Sequence, residues 1–409
     1  MGNKDLAGTY ILQNKDIPLL KFDLMREKIQ VGGLEAYDYS LQIKYMNQEK
    51  QALLPYSLRQ DSSPDPENLL QWIGKRKAPK NRQFVDKLMQ TIGDDENPLA
   101  YVDISHALSL NDALWITNAA YPIAWQDFNL YHHPFNEVLA YVAFTGYSEK
   151  ISGVVTSPEY TSSGALKKCW SNRLDGIYLI KGDDFIKYTD GRSQATMEYY
   201  AVQVAEVMGF EHIPYDLEMF HHRNGEKEIV CKCRLFTSED VGYTAAYDFF
   251  RAKGLAMKRA NLANIVVQDK MAEIYGREKY GDLMIYDALI CNKDRHLGNF
   301  GYLTDNNTGA YLRPAPIFDN GFSLLYGAAK NDMENLEAYI SSLSGKYMNF
   351  DTAVKLFIRP DHIPGMRKLL NFHFRKHPKY NVANATLEKM SQFIQLRAKR
   401  ILSLYREKE

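Results

Sequence analysis

The chain has 409 residues, of which 45% are hydrophobic and 24% charged, and its 50 lysines and arginines balance its 50 aspartates and glutamates. This composition excludes disorder over the whole chain, and roughly 150 residues per domain predicts two or three domains. The zero net charge gives no overall attraction to nucleic acid or anionic lipid. The sequence has neither an apolar N-terminal signal segment nor a membrane-spanning apolar run, so we expect a cytoplasmic protein.

Residues 1–150 predict an α+β region whose role the sequence does not reveal. Short apolar runs within residues 10–22 lie on either side of a polar turn that begins at Asn14, which predicts a β-hairpin. Residues 60–66 predict a loop, and apolar residues at helical spacing follow from residue 67. Cations between Lys75 and Arg82 indicate a solvated helix end or loop rather than a phosphate site. Aromatic residues between 105 and 147 predict that this region packs onto the chain that follows.

Near residue 150 the pattern changes, and the rest of the chain predicts two further domains, at 151–240 and 241–409. The predicted elements are strands at 151–156, 165–170 and 176–181, a helix between Ser193 and Gly209, a hairpin of 212–220 and 228–236 around Asn224-Gly225, helices at 261–275 and 283–292, a β insert at 300–318 and a last helix at 387–405. A few strands with one helix, followed by a larger helical block, predict a two-lobed α+β fold.

The sharpest motif is Asn292-Lys-Asp-Arg-His-Leu-Gly-Asn299, which follows an amphipathic segment. Asp294 and Asn299 have the spacing of a kinase catalytic loop, in which the Asp meets the incoming hydroxyl and the Asn reaches a metal on the nucleotide phosphates. Asp319 ends an apolar segment and precedes Gly321 by two residues, as does the Mg²⁺-binding Asp of kinases. A capping Asp294 and a turn Asn299 are the alternative, which explains either residue alone but not the whole set.

Lys181 ends the strand predicted at 176–181, where a lysine is costly unless an anion pairs with it. Glu198, in the following helix, could form that pair, with Glu206 as the second choice. The alternative for Lys181 is an edge lysine that extends its ammonium into solvent.

The loop Ser162-Ser163-Gly164 contains one glycine and fails the G-x-G-x-x-G pattern, although its N–H groups and hydroxyls could bind phosphate oxygens. A G-x-x-x-x-G-K-[ST] motif does not occur, which excludes the P-loop nucleotidases.

Over about residues 151–405, the sequence resembles the HipA-like serine/threonine kinases. The resemblance is carried by the order and approximate spacing of Lys181, Glu198, the loop of Asp294 and Asn299, and Asp319. The resemblance implies a bilobal protein-kinase-like fold, with a small β-rich N-lobe and a larger helical C-lobe. It also implies transfer of the γ-phosphoryl group of ATP, with Mg²⁺, to Ser or Thr of a protein. Asp294 would be the catalytic base, Lys181 the phosphate anchor, and Asn299 and Asp319 the Mg²⁺ ligands.

Further expectations come from the same resemblance. Arg234 and Phe236 belong to a segment similar to the hinge whose backbone receives adenine, and His296 is expected to organise the catalytic loop through hydrogen bonds. In that family a serine of the phosphate loop can be autophosphorylated, which expels the loop, so Ser162 and Ser163 are candidate acceptors.

Partners and substrate class follow only as expectations. Some HipA-like kinases are toxins restrained by a DNA-binding antitoxin, and others are translocated effectors. A DNA-binding partner of that kind is therefore a candidate here, and no direct nucleic-acid binding by this chain is expected. With Arg295, the motif reads D-R-H-x-x-N, which is also similar to the corresponding motif of phosphoinositide kinases. A lipid or small-molecule kinase, or a nucleotide-binding pseudokinase, is thus the alternative.

Overall fold

The computed structural model describes residues 4–59, 64–89, 99, 101–147, 156–184, 186, 188–255 and 261–407. The chain forms two compact units. The first consists of Met1–Leu179, Leu235–Thr244 and Tyr302–Arg313, and the second of Ile180–Arg234, Ala245–Gly301 and Pro314–Glu409. The domain boundary predicted at residue 150, and most of the strand predicted at 151–156, lie outside the described residues.

Both units contain strands. Those of the described residues are β1 (Asp5–Asn14), β2 (Ile17–Val31), β3 (Leu34–Met46), β4 (Leu114–Asn118), β5 (Lys168–Arg173), β6 (Gly176–Lys181), β7 (Tyr215–His221), β8 (Lys227–Arg234), β9 (Val241–Ala245), β10 (Gly301–Asp305) and β11 (Tyr311–Pro314).

The longer helices lie mostly in the second unit. Those of the described residues are α1 (Pro66–Lys75), α2 (Val85–Met89), α3 (Val102–Ser105), α4 (Trp125–Phe128), α5 (Glu137–Thr145), α6 (Gln194–Met208), α7 (Ala246–Ala252), α8 (Ile265–Tyr275), α9 (Arg277–Ile290), α10 (Lys330–Glu334), α11 (Leu336–Ser342), α12 (Phe350–Phe357), α13 (Ile363–Leu369) and α14 (Asn384–Arg406). The prediction of a mixed α+β chain is confirmed, and none of the described helices is long and apolar enough to cross a membrane.

In the first unit, β1 to β4 form an antiparallel sheet in the order β3-β2-β1-β4. The predicted hairpin at residues 10–22 is confirmed, with Tyr10 opposite Phe22 and Leu12 opposite Leu20. Alternate side chains of β1 and of the first half of β2 are buried in one core with Leu69 and Ile73 of α1, as expected for strands with one covered face. The aromatic residues after 105 also pack as predicted, because Trp115 lies in a cluster with Trp170 and Ile177.

Two of the cations between Lys75 and Arg82 are not solvated, contrary to the prediction. Arg76 is buried, donates to Asp112 and to the Ala107 carbonyl, and stacks over Trp72. Arg82 is also buried and donates to Glu159 and to the Lys168 carbonyl. A run of charges in sequence therefore mixes surface lysines with arginines whose five donors satisfy buried acceptors.

In the second unit, helix α6 has the ends that its sequence predicts. The Ser193 hydroxyl accepts from the Thr196 N–H at 3.0 Å, and Gly209 caps the other end at φ 72°. The hairpin of β7 and β8 is also confirmed, with Asn224-Gly225 in its turn and Leu217 opposite Cys231. Helix α6 packs against both strands and against α9.

Helix α9 lies at the centre of the second unit, where it packs against α6, α8, α12 and α14. Residues 285–290 of this helix are all buried, and apart from Asp287 the segment is apolar on every face. The helix ends at Cys291, which adopts a left-handed conformation and begins the segment that carries Asp294.

Candidate active site

The loop that carries Asp294 is held directly beneath the end of α9. The Asn292 N–H donates to the Asp287 carbonyl at 3.0 Å, and its side-chain amide donates to the Asp287 carboxylate at 3.2 Å. The Asn292 side-chain oxygen accepts from the Asp294 N–H at 3.0 Å. Because Asn292 is buried, these contacts fix the backbone direction in which Asp294 leaves the helix.

Residues 294–299 form a compact turn with Asp294 at its open side. The Asn299 N–H donates to the His296 carbonyl at 2.8 Å, and the Asn299 amide donates to the Asp294 carbonyl at 3.4 Å. A Cβ at Gly298 would lie 2.9 Å from the His296 ring, so any larger residue there would displace that ring. The Asp294 side chain is 45% exposed, whereas Asn299 is buried.

His296 has the organising contact that the sequence predicts. Its Nδ1 accepts from the Gly298 N–H at 3.0 Å, so the neutral ring carries its proton on Nε2. Burial lowers the pKa of His296, which favours this neutral form near pH 7. Nε2 lies 4.0 Å from Oδ2 of Asp294, which is beyond hydrogen-bond distance.

Asp319 is placed by a strained and well-supported segment. Its φ is +59°, a left-handed conformation that is uncommon for residues other than glycine but tolerated by Asp. The Asp319 N–H donates to the Tyr215 hydroxyl at 3.2 Å, and a Cβ at Gly321 would lie 2.8 Å from the Gln194 carbonyl. Such outliers often occur at functional sites.

Lys181 and Glu198 form the predicted ion pair, at 2.6 Å between Nζ and Oε1. Their side chains are 7% and 1% exposed, and Lys181 also contacts Oδ1 of Asp319 at 2.5 Å. The other oxygen of Glu198 accepts from the Asn320 N–H at 2.7 Å. Burial by itself would lower the pKa of Lys181, but Asp319 and Glu198 raise it well above its usual value, so the ammonium stays charged. Glu206, the second choice, pairs with Arg375 instead.

Arg295 joins the two motifs, a role that the sequence reasoning missed. Its guanidinium is buried, pairs with Asp287 at 3.0 Å and donates to the Asn299 carbonyl at 2.8 Å. It also donates to the Phe318 carbonyl at 2.5 Å and to the Asn320 side chain at 2.8 Å. One side chain therefore ties the loop of Asp294 to the segment of Asp319. A sequence signal was present, because Asp287 lies within the otherwise apolar segment 283–290 and a buried carboxylate requires a partner.

The predicted phosphate loop does not belong to the unit that contains Lys181 and Asp294. Ser162, Ser163 and Gly164 belong to the first unit, where Ser162 is buried and Ser163 exposed. The Ser162 hydroxyl donates to the Pro158 carbonyl at 2.8 Å and accepts from the Trp170 indole at 2.7 Å. Lys168 donates to the Ser163 carbonyl at 2.7 Å.

The predicted hinge residues fall on either side of a boundary between the units. Arg234 ends β8 in the second unit, and the Phe236 ring meets the Tyr243 ring edge to face in the first.

Comparison with known proteins finds a partial relative. No family model matches the chain. The sequence is 26% identical over a 184-residue match to the serine/threonine-protein kinase CtkA of Helicobacter pylori (strain J99 / ATCC 700824), and the match covers 41% of this chain. The match covers 51% of that protein, so the chain spans about half the length of its relative. The crystal structure of a Helicobacter pylori proinflammatory kinase CtkA aligns with 59% of this chain and 90% of its own, with 19% sequence identity and a TM-score of 0.42.

Proposed function

We propose that this protein is a kinase that transfers the γ-phosphoryl group of ATP to a serine or threonine hydroxyl of a protein. The observation that carries the proposal is the pair of motifs in the second unit, in which Arg295 joins the loop of Asp294 to the segment of Asp319. The sequence similarity to a serine/threonine-protein kinase supports the same conclusion.

Lys181 is assigned to the nucleotide phosphates. Its ammonium is a compact charge with three donors, of which Glu198 and Asp319 use two in the contacts above. Glu198 is buried and holds both Lys181 and the Asn320 N–H, so it orients the lysine without meeting the substrate. The resemblance to HipA-like kinases assigns the adenine to the backbone near Arg234.

Asp319 and Asn299 are assigned to Mg²⁺, and the chemistry of these side chains fits the ion. Carboxylate and amide oxygens are the ligands that Mg²⁺ prefers, usually with water and substrate phosphates completing the set. The Asp319 side chain is 37% exposed, so a hydrated ion has access to it. When bound, the ion would neutralise charge on the phosphate oxygens during transfer.

Asp294 is assigned to the acceptor hydroxyl. As the hydroxyl oxygen forms its bond to the γ-phosphorus, the bond from that phosphorus to the β–γ bridging oxygen breaks and ADP leaves. The hydroxyl proton passes to the carboxylate of Asp294. The partial exposure of this side chain is consistent with access by an acceptor from solution.

The proposal is tested by transfer of labelled phosphate from ATP to the protein itself, to a generic protein acceptor and to phosphoinositide vesicles. Asp294→Asn is expected to lower transfer on the order of 100-fold or more while ATP affinity stays nearly unchanged, because only the proton acceptor is lost. Asp269→Asn is the matched control, since Asp269 is an exposed carboxylate of the same unit that pairs with exposed Arg277.

Each outcome of this assay separates the proposal from its alternatives. Label on Ser or Thr that Asp294→Asn removes and Asp269→Asn retains supports a protein kinase. Label on lipid but not on protein would indicate a lipid kinase. ATP binding without transfer to any acceptor would indicate a pseudokinase and contradict the proposal.

A further inference from the structure

The candidate base Asp294 has a charged partner from a distant part of the second unit. Lys346, in residues 343–349 between α11 and α12, contacts Oδ1 of Asp294 through its ammonium. The two residues are 52 positions apart, and their side chains are 35% and 45% exposed. No pattern in the sequence connects them.

The segment of Lys346 is held in place by its own packing. A Cβ at Gly345 would lie 2.7 Å from the Met348 carbonyl and 3.2 Å from the Phe350 ring, so the backbone turns tightly just before the lysine. The Asn349 side chain then caps α12 by accepting from the Asp351 N–H at 2.9 Å. The position of Lys346 therefore follows from the start of α12, which packs against α9.

Other basic side chains of the loop are directed away from the Asp294 carboxylate. Lys293 donates to the Tyr326 carbonyl at 2.9 Å and lies over the Phe322 ring, and burial lowers its pKa. Arg295 is buried against Asp287. Nε2 of His296 lies 4.0 Å from Oδ2, beyond hydrogen-bond distance, so among the described residues Lys346 supplies the ammonium in contact with this carboxylate.

We infer that Lys346 is a positioning residue for phosphoryl transfer, which holds Oδ1 of Asp294 so that Oδ2 receives the proton of the acceptor hydroxyl. The inference rests on the proposed function. A carboxylate has two equivalent oxygens, and a contact to one of them restricts rotation of the group and orients the other. The ammonium also offsets the repulsion between this carboxylate and the incoming phosphoryl oxygens.

The test compares Lys346→Met and Lys346→Arg with Lys355→Met, which removes an exposed lysine from α12. Lys346→Met is expected to lower kcat by about 10- to 100-fold, with the KM for ATP changed less than about twofold. Lys346→Arg should recover most of the loss, and Lys355→Met should behave as wild type. Thermal unfolding of all variants verifies that they are folded.

A double variant separates positioning from a direct role. In the Asp294→Asn background, Lys346→Met should lower the remaining activity little further, because a residue that acts through the Asp294 carboxylate then has no carboxylate to orient. Additive losses would overturn the positioning role. If the wild type transfers phosphate and Lys346→Met has the same kcat as Lys355→Met, the inference alone is overturned. If the wild type transfers no phosphate, the proposed function and this inference are overturned together.

Discussion

Replacing Arg295 with Met tests whether one buried guanidinium holds the two motifs together. The change removes the ion pair to Asp287 and the donors to the carbonyls of Asn299 and Phe318. Met has a similar length and no charge, so the packing volume is nearly kept. The Asp287 carboxylate is then buried without a charged partner.

The expected loss of stability follows from that buried carboxylate. Breaking a buried ion pair by removing one partner costs about 3–5 kcal/mol, because the remaining charge is not compensated. The matched control Arg400→Met removes an ion pair to Asp351 whose side chains are 49% and 32% exposed. A pair this exposed is worth less than about 1 kcal/mol.

The two units can be followed separately during urea unfolding. All four tryptophans, Trp72, Trp115, Trp125 and Trp170, lie in the first unit, so their fluorescence reports on that unit. Far-UV circular dichroism is dominated by the helices of the second unit. Arg295→Met is therefore expected to shift the dichroism transition, and Arg400→Met is expected to leave it nearly unchanged.

A second substitution identifies the cause of the loss. Asp287→Asn in the Arg295→Met background removes the uncompensated charge and should recover part of the lost unfolding free energy. A loss below about 1 kcal/mol in Arg295→Met, or no recovery in the double variant, would refute the reasoning.

Three further predictions concern the metal, the serine loop and pH. Asp319→Ala is expected to raise the Mg²⁺ concentration needed for half-maximal transfer, and an unchanged requirement would contradict its assignment to the metal. Ser163, which is exposed, is expected to carry phosphate after incubation with ATP and Mg²⁺, whereas buried Ser162 is not; phosphate on Ser162 in a mass spectrum would contradict this. Burial raises the pKa of Glu159 from its usual 4.5 to about 7, so the unfolded chain loses this proton first as pH rises. As the pH rises from 4.5 to about 7, the unfolding free energy of the first unit should fall by about 3 kcal/mol relative to the Glu159→Gln variant. If tryptophan fluorescence gives the same pH dependence of unfolding for wild type and Glu159→Gln, this prediction is refuted.

Local elements were predictable because their signals are local. Ser193 and Gly209 set the ends of α6 through a side-chain oxygen and a left-handed backbone. Asn224-Gly225 identified the turn between β7 and β8. The charged run ending at Arg82 was misinterpreted, because the sequence shows the charge but not whether acceptors surround it after folding.

By itself the sequence determined the spacing of Asp294 and Asn299 and the apolar segment that ends at Asp319. Both patterns depend on neighbours within a single turn or strand, so they do not require knowledge of the packing. The tertiary structure alone decided that Lys181 meets Asp319, 138 positions away, and that Lys346 meets Asp294. Contacts between residues so far apart in sequence form only when helices and strands pack on one another, because this packing offsets the entropy cost of closing the long intervening chain.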